Sequence, residues 1–215
     1  MTGGLTHQQV LDAGIDDWRL LMSPLQARFR TGDFATGLAL VNRIGQAAEE
    51  ADHHPDLDLR YAHLNVRLLS HDVDAVTERD VALARRISEI AREMGVEADP
   101  RSLSQVEVAL DTPDPASVRP FWLAVLGVPG GAGGDDVRDR EGDTDTLWFQ
   151  PSGSEEGRQR FHYDVRVPPE VAQERIDAAL AAGGTLVSDA AAPAYVVLAD
   201  PDGNKVCVCT SAGRD

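Results

Sequence analysis

Four of the chain's six histidines fall between positions 53 and 71, in the arrangement Glu49-x3-His53-His54-Pro55-x5-Tyr61-x9-His71-x8-Asp80. Imidazole is the side chain whose unperturbed pKa keeps both protonation states within reach near neutral pH. Three histidines converging on one pocket can therefore accept and deliver protons without a metal, so the chemistry this spacing offers is acid–base chemistry.

The elements that must position these residues are legible in the flanking pattern. Residues 7–13 read as a short helix, and Trp18–Met22 with Gln26–Arg30 as a hairpin around Ser23-Pro24. Asp33 is placed to cap a helix through about Ala51, because Phe34, Leu38, Val41, Ile44 and Ala48 recur at three- and four-residue steps. That helix delivers His53 and His54 at its end, and Pro55 prevents its continuation. From Tyr61 to Ser70 the period becomes two. Ala62, Leu64, Val66 and Leu68 face one way; Tyr61, His63, Asn65, Arg67 and His71 face the other, which is the expected pocket side. Thr77 then caps a helix ending near Gly95, with Val81, Leu83, Ala84, Ile87, Ile90 and Ala91 as its apolar stripe. The expected domain is α+β, an antiparallel sheet with helices on one face.

The histidine pattern resembles the signature of the pterin-4a-carbinolamine dehydratase family: an acidic residue, His-His-Pro, an aromatic, a second His and a downstream Asp at these intervals. The likeness runs from about Asp16 to Ala91 and takes in Phe29-Arg30-Thr31-Gly32-Asp33-Phe34 and Thr77-Glu78-Arg79-Asp80-Val81-Ala82-Leu83-Ala84. The resemblance implies a hydro-lyase that needs no cofactor, with His53, His54 and His71 as catalytic residues and Asp80 beside them. It also implies a pterin substrate, a dimer or tetramer of identical chains, and a recycling role beside an aromatic amino-acid hydroxylase. Glu49, Pro55, Tyr61 and Arg67 are the substrate-binding candidates.

Each residue also has a plainer reading. His53 and His54 could end a helix, where cations favour the dipole. Asp80 either serves a capping box with Thr77 or orients a histidine. Glu49, one turn from the pair, either orients His53 or lies on a solvated face, and Tyr61 packs or stacks more readily than it transfers protons. His63 falls outside the signature and reads as a solvent or pocket-rim residue. Zinc is the other use of clustered histidines, but adjacent His residues point apart, and no Cys or spaced His pair completes a tetrahedral set there.

Composition narrows the partners. At 215 residues two small domains are expected: 1–97, a linker at 98–102, and 103–215. A net charge of -16 and a pI near 4.6 argue against a nucleic-acid groove or an anionic membrane surface. No apolar run is long enough to span a bilayer and the first residues lack signal-peptide features, so a cytoplasmic location is expected. Cys207 and Cys209 alternate along one strand and are poorly placed to bridge each other, as suits reduced thiols.

The second half carries a weak internal repeat with a period of 57 residues, Gln105-Val106-Glu107-Val108 against His162-Tyr163-Asp164-Val165. With the closing Asp200-Pro201-Asp202-Gly203-Asn204 turn before a last strand, it resembles the vicinal oxygen chelate superfamily in its glyoxalase and bleomycin-resistance branch. The implied fold is a pair of βαβββ modules, the first shortened, because Pro129–Thr146 is rich in Gly and Asp. That superfamily's metal positions carry over onto Gln105, Gln150, His162 and Cys207. Cysteine in place of a carboxylate, with two neutral amides, argues against a divalent metal there. Trp148, Phe149, Phe161 and Tyr163 are pocket or core candidates. The leading expectation is a fusion of an active dehydratase with a glyoxalase-like domain of unknown ligand. The competing ones are a non-catalytic dimerisation module and a chain whose main function, enzymatic or sequestering, lies in its second domain.

Overall fold

The computed structural model describes residues 3–116, 119, 136–137, 146–151, 161–199, 203 and 205–214. Two compact units emerge: Met1–Ser104 with Val167–Val171 and Thr210–Asp215, and Gln105–Arg166 with Ala172–Cys209.

In the first unit, strands β1 (Arg19–Leu20), β2 (Leu25–Arg30), β3 (Asp56–Leu59), β4 (His63–Leu68) and β5 (Glu97–Ala98) form one antiparallel sheet in the order β1-β2-β4-β3, with β5 also on β2. Helices α1 (His7–Leu11), α2 (Phe34–Ala51) and α3 (Glu78–Glu93) complete it. The alternation expected of β4 is realised: Leu64, Val66 and Leu68 are buried while His63, Asn65 and Arg67 are half-exposed. The buried set joins Leu25, Ala27 and Phe29 of β2, Leu40 and Ile44 of α2, and Val81, Ala84 and Ile87 of α3 in one core. Burial of each larger side chain contributes roughly 1.5–3 kcal/mol. The α3 stripe is buried as the sequence predicts, and the Thr77 cap forms.

Two local expectations are corrected, and one element is added. The buried stripe of α2 is Gly37, Leu40, Ile44, Ala47 and Ala48, whereas Phe34 and Leu38 are exposed. A Cβ on Gly37 would sit 2.5 Å from Leu59 Cδ1, so the helix lays its glycine against the sheet and rotates the larger residues outward. Strand β3, unanticipated, is an edge strand of sequence Asp-Leu-Asp-Leu paired with β4, and its acidic residues conceal it from hydropathy. The polar stretch at 97–102 is structured as well: Glu97 and Ala98 pair with Arg30 and Phe29, Pro100–Ser102 is a 3-10 turn, and Arg30 bonds Asp99 at 2.6 Å.

The second unit contains β6 (Gln105–Thr112), β7 (Asp136–Val137), β8 (Leu147–Pro151), β9 (Phe161–Arg166), β10 (Thr185–Ser188), β11 (Tyr195–Ala199) and β12 (Lys205–Cys209). Helix α4 (Pro169–Ala181) follows β9. The sheet order is β10-β11-β12-β9-β6-β8-β7. Strands β6 and β9 pair antiparallel at its centre; β6 pairs parallel with β8, and β9 parallel with β12. Strands β7 and β11 add antiparallel to β8 and β12. The run β6-β8-β7 thus repeats as β9-β12-β11, the two modules that the internal repeat predicts. Most of the Gly- and Asp-rich segment at 129–146 and of the Asp200–Asn204 turn lies outside the described residues. Phe149 packs in the core with Leu110, Val137 and Leu147, but Phe161 and Tyr163 are exposed. Among the described residues no helix is long and apolar enough to cross a membrane.

Candidate functional site

The end of α2 decides where the two adjacent histidines go. Asp52 closes the helix in the left-handed conformation at φ 47°, and the His53 N–H returns to the Ala48 carbonyl at 3.1 Å. This tight reversal sends His53 inward and leaves His54 exposed. His53 is 8 % exposed, and its Nε2 lies 2.7 Å from Oδ1 of Asp80, which is fully buried. The other Asp80 oxygen, Oδ2, accepts from the Thr77 N–H at 2.7 Å, Ser70 Oγ at 2.7 Å and Thr77 Oγ1 at 3.1 Å. A carboxylate only accepts, so His53 Nε2 carries the proton and Nδ1 of the neutral ring keeps its lone pair. Asp80 therefore fills both roles open to it, capping α3 through Oδ2 and holding His53 through Oδ1.

His54 faces solvent with Nε2 3.1 Å from Glu49 Oε1, and both side chains are largely exposed. Glu49 thus partners His54 and not His53, and of its two expected positions it takes the solvated face, because His53 turns inward. His71 is exposed, in the turn directly after Ser70, whose N–H bonds the Ala75 carbonyl at 3.1 Å. Ser70 is 1 % exposed and fixed on Asp80, so the chain enters the His71 turn from the hydrogen-bonded cluster that holds His53. In that turn Asp72 bonds Arg79 at 2.5 Å. The guanidinium holds the Asp72 carboxyl below its ordinary range, and nearby His53 acts in the same direction.

Arg67 alternates with the buried residues of β4 and stands opposite Gln26 and Asp56, on the sheet face away from the core. His53 and Asp80 meet instead where α2 ends and α3 begins, so the polar strand face is not the histidine site. Pro55 is half-buried, between His54 and β3. Tyr61 is 73 % exposed in the β3–β4 turn, at the other end of β3 from Pro55. The fold of one chain brings together His53, His54, Glu49, Asp80 and the His71 turn, and leaves Tyr61 apart. Ser70 is the residue that sequence reading missed; its place on the buried parity of β4, just before His71, was the available signal.

In the second unit, strand parity and register place Gln105, Glu107, Ala109 and Asp111 of β6 on one face with Trp148 and Gln150 of β8, His162 and Asp164 of β9, and Cys207 of β12. The four carried-over metal positions share this face but do not converge. Gln105 stands opposite Arg166, four residues from Ala109, which faces His162. That offset is about 13 Å along β6. The superfamily's ligand set therefore does not fit. The residues that do meet are His162, Asp164 and Cys207, whose donor atoms all lie within 4.8 Å of one another. Burial, Asp164 and Cys209 push the Cys207 thiol up to about 12.

Comparison with known proteins agrees with this division. Residues 4–90 match the family model described as pterin 4 alpha carbinolamine dehydratase, and residues 107–209 match that of a glyoxalase-like domain. A Thermomicrobium roseum protein, provisionally named a pterin-4-alpha-carbinolamine dehydratase, is 39% identical over 36% of this chain and 83% of its own length. A Nocardia farcinica protein of the same provisional name is 36% identical over 41% of this chain and 95% of its own. A solved structure titled transcriptional coactivator/pterin dehydratase, from Brucella melitensis, is similar at 29% identity and a TM-score of 0.40, covering 41% of this chain and 99% of that one. Through its first unit the chain belongs to the pterin 4 alpha carbinolamine dehydratase family, and its second unit is similar to a glyoxalase-like domain over residues 107–209.

Proposed function

We propose that the first unit dehydrates a 4a-hydroxytetrahydropterin to the quinonoid dihydropterin, with histidines as the acid and base. The C4a–O bond breaks as the hydroxyl takes a proton and departs as water. N5 gives up its proton and the N5=C4a double bond forms, so the net change is loss of one water. The observation that carries this reading is the buried His53–Asp80 pair beside the exposed His54. His53 is held in one tautomer with Nδ1 able to accept a proton, while His54 and His71 are placed to exchange protons with solvent. Positioned acid–base groups of this kind supply about 10²–10⁴-fold in rate. Neighbouring imidazoles share their titration, so acid and base are properties of the set.

A cytoplasmic setting, assembly of identical chains and service to an aromatic amino-acid hydroxylase belong to this reading through the family. The test is dehydration of freshly generated 4a-hydroxytetrahydropterin, followed by ultraviolet absorbance with the full chain, with and without a chelator. Acceleration over buffer that the chelator leaves unchanged is expected; no acceleration from folded protein would sink the reading.

A further inference from the structure

We propose that Arg79 is a positioning residue for His71: through Asp72, its guanidinium holds the turn that carries this histidine against the first turn of α3, at a fixed place relative to His53. What His71 does there rests on the dehydratase reading; what holds it does not.

Two successive residues of α3 reach the two histidine-bearing segments. Asp80 turns inward to His53 Nε2 at 2.7 Å, while Arg79 turns outward, its Nη2 2.5 Å from Asp72 Oδ1. The backbone beneath both is fixed. The Arg79 N–H donates to Thr77 Oγ1 at 3.2 Å, and that hydroxyl lies 2.8 Å from Ser70 Oγ. The His71 turn departs from Ser70, and a bridge between Ser70 and Ala75 closes it. Residues 71–74 are all exposed, so burial does little to hold them. The turn is instead held at its base by Ser70 and at Asp72 by Arg79.

Two local features set this contact apart from an incidental surface pair. Arg79 is the second residue of α3, where the helix dipole disfavours a cation; its neighbours Glu78 and Asp80 are the acidic residues that the position favours. Asp74 takes the left-handed conformation at φ 51° without being a glycine, and such a backbone persists only where its surroundings enforce it. A misplaced cation on the helix and a disfavoured backbone in the turn thus meet across one ion pair. Both of its side chains are exposed, and exposed pairs add little to folding, so stability does not account for it. The hydrogen bond from Arg79 is the largest influence holding the Asp72 carboxyl below its ordinary range, and nearby His53 acts in the same direction. The pair therefore stays ionised wherever the histidines exchange protons.

Proton transfer needs its groups within hydrogen-bond reach, and a displacement of about 1 Å can cost on the order of 10²-fold in rate. A loosened turn would misplace His71 for the chemical step and leave pterin binding by the rest of the site in place.

The test uses the full chain as wild type, Arg79→Ala, Asp72→Ala, the double variant and Arg79→Lys. Each single alanine variant should lower kcat for 4a-hydroxytetrahydropterin dehydration about tenfold, with KM within about twofold. The double variant should lose no more than either single one, because both remove the same contact. Arg79→Lys, which keeps the charge, should stay within about threefold of wild type. The urea midpoint of Arg79→Ala should not fall, since repulsion from the helix dipole is relieved as the pair is lost. Nitrogen-15 relaxation reads the turn without any substrate: order parameters at residues 71–74 should be about 0.85 in wild type and below about 0.6 in Arg79→Ala, with the rest of α3 unchanged. A turn as rigid in Arg79→Ala as in wild type overturns the proposal, and so do losses that multiply in the double variant. A wild type that does not dehydrate the pterin, with the turn loosened in Arg79→Ala, upholds the clamp and sinks the dehydratase reading.

Discussion

Asp80 holds His53 through one carboxylate oxygen, at 2.7 Å, and caps its own helix with the other. Helix α3 therefore cannot form its cap without placing a carboxylate against the catalytic candidate. Asp80→Asn leaves an amide that cannot accept every bond the carboxylate accepts. The expected result is a 10- to 100-fold loss in kcat/KM, together with a loss of about 1–3 kcal/mol of stability. Urea unfolding and dehydration kinetics on the same preparation check it, and a folded variant with unchanged kcat/KM would refute the coupling.

Ser70→Ala removes one of three donors to Asp80 Oδ2 but spares the two from Thr77. Stability should fall by about 1 kcal/mol. The rate should change only a few-fold, with the pH profile of kcat displaced, because the carboxylate that orients His53 has lost part of its hydrogen bonding. An unmoved profile would limit Ser70 to a packing role.

His54 and Glu49 are both largely exposed, so changing them tests chemistry without disturbing the core. His54→Ala should lower the rate by about 10²-fold or more while leaving the urea midpoint in place. Glu49→Gln should cost only a few-fold, as befits a carboxylate 3.1 Å from an imidazole in open solvent. Equal losses in the two variants would mean that Glu49 does more than orient His54.

The acid limb of stability has an identifiable contributor. Burial pushes the Asp99 carboxyl up, but Arg30 and the hydrogen bonds from Ser102 outweigh it, so its folded pKa lies below the ordinary value. A depressed carboxylate pKa contributes stability that is fully present above the unfolded value, about 3.9, and is lost as pH falls through the folded one. Asp99→Asn should therefore lower the urea midpoint at pH 7 and lower it less near pH 2. The same shift at both pH values would contradict this assignment.

The sequence is most legible where chemistry and capping leave fixed residue types. The Asp33 and Thr77 caps, the α3 stripe and the alternation in β4 all read correctly because each depends on its near neighbours. What failed depends on contacts distant in sequence. Phe34 and Leu38 fit a helical stripe, but Gly37 takes the sheet side through its close approach to Leu59. Strand β3 hides behind Asp56 and Asp58, whose exposure on an edge strand no local pattern reports. Of the two roles open to Glu49, the spacing could not choose the solvated one, because the left-handed turn at Asp52 that sends His53 inward is not visible in it. In the second unit Asp164 was two residues from a named candidate and on its face, yet only the pairing of β9 with β12 brings Cys207 to it.

The most direct measurement is the rate of 4a-hydroxytetrahydropterin dehydration by wild type beside His53→Ala, His54→Ala and His71→Ala, each verified as folded by circular dichroism. The account predicts strong acceleration by wild type, loss in all three variants, and a lower urea midpoint in His53→Ala alone, since only that variant leaves Asp80 Oδ1 without its partner. A folded wild-type chain no faster than buffer, or acceleration that survives all three substitutions, would contradict it.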